Sequence, residues 1–148
     1  PRICLPKYSK DLLISLPVNT QTNIPKHTNI SEVNTMKIFP HTDVEAKDAE
    51  GGSTKLNVRW LITKEHGAEN FAMRLFEMDA GGNSPLHSHD WEHEVFILEG
   101  EGIVIGGREE KKFKAGDVIF IPANEAHQLK NNSKNPVKFL CLIPYKKE

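Results

Sequence analysis

Three histidines fall within seven residues of this chain, His87, His89 and His93, and a fourth, His127, stands on a later segment. Neutral imidazole is the commonest protein ligand for borderline divalent ions, so four such rings can hold one ion. Because all four are neutral, the ion keeps its full double charge, and its remaining positions attract water, hydroxide, superoxide or a chelating enolate or carboxylate. An octahedral shell leaves two positions open, enough for a bidentate substrate or for one substrate atom beside dioxygen or a peroxide. That favours oxidative chemistry with Mn or Fe, although Ni, Cu, Co and Zn also bind imidazole. With only Cys4 and Cys141 present, a thiolate-rich site is excluded. The chain carries no nucleophile elbow, phosphate-binding glycine loop or dinucleotide fingerprint.

The elements that must position these rings are strands. Side chains alternate faces along a strand, so His87 and His89 point to one interior, His93 reaches it from further along, and Glu94 faces away. A one-residue slip at a bulge would instead make Glu94 the ligand. His127 follows the turn at 122–126, and only a fold that curls back on itself brings it to His93. From residue 55 onward, short β-rich runs alternate with turn signals, which predicts strands over 56–63, 70–79, 92–98, 102–105, 110–113, 118–121, 126–130 and 137–143. Gly81-Gly82-Asn83, Gly100, Gly106-Gly107, Gly116-Asp117 and Asn131-Asn132 supply the turns. Many short strands in about a hundred residues form a sandwich or barrel.

The chain divides at Met36. Residues 1–35 are rich in Pro, Asn, Thr and Ser without periodicity and read as an extension or arm, with one short strand candidate at 11–18. Residues 36–148 read as the domain, entered by a strand at 36–39, and Met36 reads as an alternative start. With 19 basic and 20 acidic residues, neither a nucleic-acid stripe nor a membrane-surface patch is expected. Two widely separated cysteines fit a reducing compartment, with the cytoplasm as the default. No apolar run is long enough to span a bilayer.

With these residues in view, the chain resembles the cupin superfamily. The first family motif, a glycine, His-x-His, an acidic ligand and a closing glycine, matches Gly81, His87, His89, the 93/94 position and Gly100. The second, a glycine, a proline, a glycine, a histidine and an asparagine, matches Gly116, Pro122, Asn124, His127 and Asn131. Two departures stand out. Asn124 replaces a turn glycine, which left-handed tolerance makes cheap, and His93 falls where the acidic ligand is usual, turning a three-His-one-Glu shell into four histidines. Among cupins the chain is similar to the small single-domain, four-histidine, manganese-binding type. The resemblance implies an all-β double-stranded β-helix, or jelly-roll barrel, with a metal inside, and a homodimer.

Outside the ligand set, Arg74 shares a strand face with Ala72 and Phe76 and is either an outward charge or an interior group for an anionic substrate. Phe139 and Cys141, two apart on the last strand, either line the cavity together or are ordinary core. These three are the candidates for contact with a substrate or a role in catalysis. Trp91 is expected to pack against the ligand-bearing turn, and His27, His41 and His66 to lie at the surface. The reading is a metal-dependent, dioxygenase-like oxidoreductase acting on a small organic molecule. The alternatives are a metal-dependent isomerase or lyase of a sugar or keto acid, and a non-catalytic module that binds a metal or small ligand.

Overall fold

The computed structural model describes residues 35–145; the strand candidate at 11–18 lies outside them. Nine strands are present among the described residues: β1 (Lys47–Asp48), β2 (Thr54–Ile62), β3 (Phe71–Asn83), β4 (His93–Glu99), β5 (Glu101–Gly106), β6 (Glu109–Lys114), β7 (Val118–Ile121), β8 (His127–Lys130) and β9 (Val137–Pro144). The only helical pieces among those residues are two single 3-10 turns, His41–Asp43 and Lys64–His66. Among the described residues no helix is long and apolar enough to cross a membrane.

All pairings are antiparallel and run in the order β6-β5-β8-β3-β9-β4-β7, with β2 added to β3 and β1 to β2. The sheet curls because β3 changes partners along its length. Residues Phe71 to Met78 pair with β9, whereas Asn83 pairs with Lys130 of β8. One wall is therefore β2-β3-β9-β4-β7 and the other is the end of β3 with β8, β5 and β6. The core lies between them and draws Val95, Ile97, Val137 and Phe139 from the first wall and Phe113 and Leu129 from the second. This is the all-β jelly-roll barrel expected from the sequence.

The bend in β3 corrects one expectation. The Gly81-Gly82-Asn83 run was expected to end the strand, but pairing continues through it. Between the pairs Thr54↔Asn83 and Leu56↔Met78 the register slips, leaving Lys55 opposite a bulged stretch of β3. Glycine is required there by close approach, since a Cβ on Gly82 would sit 2.8 Å from the Lys55 carbonyl oxygen. Asn131, 1% exposed, fixes the bend from within. Its Nδ2 donates to the carbonyls of Met78, Asp79 and Asn135 at 3.2, 3.0 and 2.8 Å, and its Oδ1 accepts from Ser133 N and Oγ.

Two further expectations fail. Residues 36–39 form no strand, because no neighbouring strand pairs with them; Met36 and Ile38 are almost fully exposed and Phe39 stacks on His66 at 5.5 Å. His66 in turn is half-buried rather than superficial, with its Nδ1 accepting from Thr63 N at 3.2 Å. His41 is exposed as expected, and His27 lies outside the described residues. Two residues long, β1 was not anticipated, since so short a run carries no periodicity.

Candidate metal centre

The four rings converge from three parts of the barrel. His93 opens β4, whose inward positions His93, Val95 and Ile97 are buried while Glu94, Phe96 and Leu98 face out. Parity thus assigns the interior to His93 and excludes Glu94. His127, 2% exposed, opens β8. His87 and His89 stand on the loop between β3 and β4, the first exposed and the second half-buried. The backbones of His87 and His127 exchange two hydrogen bonds, at 3.2 and 2.9 Å. Asn124 N donates to the His89 carbonyl at 2.6 Å, and Asn124 adopts the left-handed φ of 67° expected of a glycine substitute. Both histidine-bearing segments are thereby fastened to each other by main chain.

One ring nitrogen from each histidine lies within 4.8 Å of the others. Their tautomers follow from the outward partners. Carbonyl oxygens only accept, so the Nδ1 of His87 donates to Pro85 O at 3.1 Å, that of His89 to Trp91 O at 2.8 Å and that of His127 to Glu125 O at 2.8 Å. The Nε2 lone pairs of these three rings are left facing inward, the arrangement of histidine ligands fixed by outer partners. For His93 to offer Nε2 as well, its Nδ1 must carry the proton, and the acceptor beside it is the Cys141 sulfur at 3.3 Å. Arg74 Nη2 also donates to that sulfur, at 3.0 Å, and stands 3.5 Å from His93 Nδ1.

A cation suits this centre. The Nε2 atoms of His89 and His93 are 2.7 Å apart, a separation that two lone pairs tolerate only with a proton or a metal ion between them. The Nε2 of His127 is buried without a hydrogen-bond partner. Burial holds His93 far below the usual imidazole value, at about 3, with the Arg74 guanidinium adding to the effect. Burial likewise lowers His89 and His127. All three shifts favour the neutral imidazole, the state a ligand requires. Trp91 packs as expected, its ring parallel to that of His89 at 4.0 Å.

The centre opens into a cavity of about 480 Å³. Arg74, Phe139 and Cys141 all line it, so the first of these points inward rather than to solvent. Phe139 stacks on Phe76 at 5.0 Å, and the guanidinium of Arg74 lies between Trp60 and Phe76, 5.3 and 5.0 Å from their ring centres. Burial pushes the Cys141 thiol up, against the opposing pull of Arg74. Sequence reasoning missed Trp60 and the rim at Lys47, Asp48 and Glu50. Trp60 was within reach of parity, because it follows the buried Leu56 and Val58 at the same two-residue spacing; the rim at Lys47 and Asp48 is the two-residue β1, too short to carry a pattern.

Comparison with known proteins gives a match of residues 74–143 to the cupin domain family model. The chain is 31% identical over 106 residues to the oxalate-binding protein of Thermotoga maritima, covering 69% of this chain and 86% of that one. It is 29% identical to the 1-methylthio-D-xylulose 5-phosphate methylsulfurylase of Rhodospirillum rubrum, over 71% of this chain and 67% of the relative. Among solved structures, the polyketide cyclase RemF from Streptomyces resistomycificus superposes with a TM-score of 0.70 at 34% identity, over 76% of this chain and 81% of that one.

Proposed function

The chain belongs to the cupin family, and from that premise we propose that it is a mononuclear metal enzyme of the dioxygenase-like kind, acting on a small organic molecule. The ion, Mn or Fe, is held by His87, His89, His93 and His127. The observation that carries this reading is the set of three imidazoles pinned through Nδ1 to backbone carbonyls, with Nε2 lone pairs aimed at one point on the wall of an apolar cavity. When bound, such an ion supplies Lewis-acid polarisation and one-electron redox chemistry.

The chain's own residues do the rest. The backbone anchors hold the imidazoles in the ligand tautomer, and the Cys141 sulfur accepts a hydrogen bond from the Nδ1–H of His93. Leu56, Val58, Phe76, Val95, Leu129 and Phe139 line the cavity and exclude water from a bound substrate. Arg74 contributes a fixed positive charge beside the centre. The free, buried Cys141 fits a reducing, cytoplasmic setting, and the outward Phe96, Leu98, Val118 and Phe120 of β4 and β7 favour a homodimer.

A relative named as an oxalate-binding protein supports a second reading, ligand binding without turnover. Protein purified without added metal, examined by elemental mass spectrometry and electron paramagnetic resonance, should carry about one Mn or Fe per chain. Oxygen uptake with a substrate panel then follows. Stoichiometric Zn or Ni, or turnover without oxygen, moves the assignment to isomerase or lyase chemistry. Tight ligand binding without product supports the second reading, and a folded protein free of metal overturns the metal-enzyme reading.

A further inference from the structure

Arg74 is a cation without a counter-ion. Among the described residues no carboxylate pairs with it: the four ion pairs present are Lys47–Glu45, Arg59–Glu77, Lys111–Glu109 and Lys138–Glu99. Its Nε is buried with no hydrogen-bond partner, and its Nη2 makes polar contacts with Cys141 and His93. A guanidinium set between aromatic rings in an apolar cavity, and only partly satisfied, is a site for an anion, because desolvated charge is costly until it is paired. Cation–π contact with Trp60 and Phe76 offsets part of that cost and holds the fork in place.

The position of this charge is informative. Arg74 meets His93 at Nδ1, on the side of the ring away from the converging nitrogens. The anionic group it takes is therefore distinct from the group that meets the ion. Size points the same way. A two-carbon dicarboxylate has about six heavy atoms, and at no more than a water's share of about 30 Å³ each it fills about 180 Å³. The cavity measures about 480 Å³ and is lined by Leu56, Val58, Phe76 and Phe139 as well as by the histidines and Arg74. The other cation at its edge, Lys47, sits on the exposed rim beside Asp48 and Glu50. One guanidinium matches a singly charged carboxylate better than a phosphate ester, which carries nearly two charges.

We infer that the cavity takes an amphipathic organic carboxylate, with oxygens that meet the ion at the four-histidine pole, an apolar body along Phe76 and Phe139, and a separate carboxylate on Arg74. This rests on the metal reading for its first part and on Arg74 alone for its last. The ligand is larger and more apolar than oxalate.

The test is anaerobic titration calorimetry on the full chain, manganese-loaded and chelator-treated, with protocatechuate, catechol, the phosphonate analogue of protocatechuate, and oxalate. Protocatechuate and catechol share the chelating head and the ring and differ in the carboxylate. The loaded protein should bind protocatechuate about 10-fold to 100-fold more tightly than catechol, the range for one charge-assisted pair. Arg74→Met should bring that ratio close to one while keeping metal content and thermal midpoint, and Arg74→Lys should retain part of it. A wild-type ratio near one, a ratio unchanged in Arg74→Met, or oxalate as the tightest ligand overturns the inference. Equal binding of the phosphonate overturns the choice of carboxylate. A chain that takes no metal but keeps the preference after chelation loses the metal reading and keeps the Arg74 site, so the two failures are distinguishable.

Discussion

Replacing His93 by alanine removes the proposed ligand on β4, whereas Glu94→Ala touches a side chain on the opposite face of the same strand. Losing an outer partner of a metal ligand typically costs 10- to 100-fold in affinity, so losing the ligand itself should cost at least about 100-fold, or about 2.8 kcal/mol. The vacated space also turns the Arg74 guanidinium toward the ion without an intervening ring. Glu94→Ala, as an exposed substitution, should stay within about 0.5 kcal/mol. The difference is readable as stability. At an ion concentration of about 100 times the wild-type Kd, binding adds about 2.7 kcal/mol to the native state, while a variant bound 100-fold more weakly gains only about 0.4 kcal/mol. For a domain of this size that corresponds to a metal-induced rise in Tm of roughly 10 °C against roughly 2 °C. Thermal scans with and without Mn(II), together with metal content by elemental analysis, measure both. Equal losses in the two variants, or a His93→Ala protein whose metal-induced shift matches the wild type, would refute the parity argument.

Cys141→Ala removes the acceptor for the His93 Nδ1 proton and should weaken metal binding about 10-fold or more, with Cys141→Ser restoring most of it; equal affinity of Cys141→Ala and wild type in a chelator competition would show that the sulfur does not orient the ring. In the metal-free chain His89, His93 and His127 have folded-state values below the unfolded imidazole value of about 6.5, so acid favours the unfolded state. Stability present above that pH should fall as pH drops through the window from about 6.5 toward 3, and a denaturation midpoint that is flat or rises on acidification contradicts this. Asn131→Ala strands the carbonyls of Met78, Asp79 and Asn135 at the bend of β3 and should lower unfolding free energy by about 3 kcal/mol, measured by urea denaturation. A loss under about 1 kcal/mol would mean that those carbonyls find other partners.

What was legible in the sequence is what local pattern determines. Strict alternation across His93, Glu94 and Val95 gave the inward residue, and the strand at 118–121 matches to the residue because turns bound it on both sides. The bend of β3 was not legible, because Gly81-Gly82 carries the same signature whether a chain stops or kinks; the choice depends on Asn131 arriving from a distant segment. The facing of Arg74 was open for a related reason. Ala72 and Leu75 lie on opposite faces of β3 and both are buried, so alternation alone could not say which side held the cavity. At 36–39 the apolar residues suggested a strand, but a strand needs a neighbour, and pairing is a tertiary fact.

The reciprocal backbone pairing of His87 with His127 also sets an order of events. The first three histidines are close in sequence, but the fourth joins them only once β8 has docked beside the loop before β4. Contacts between distant segments are slow to form, because the chain loses closure entropy before it gains from them. An ion that requires all four imidazoles therefore meets a barrel already assembled, and its binding energy falls on the native side of the folding barrier. Folding then proceeds at the same rate with or without metal, while escape from the native state slows in proportion to occupancy. An ion held there would act as a latch on the finished barrel rather than as a nucleus for building it.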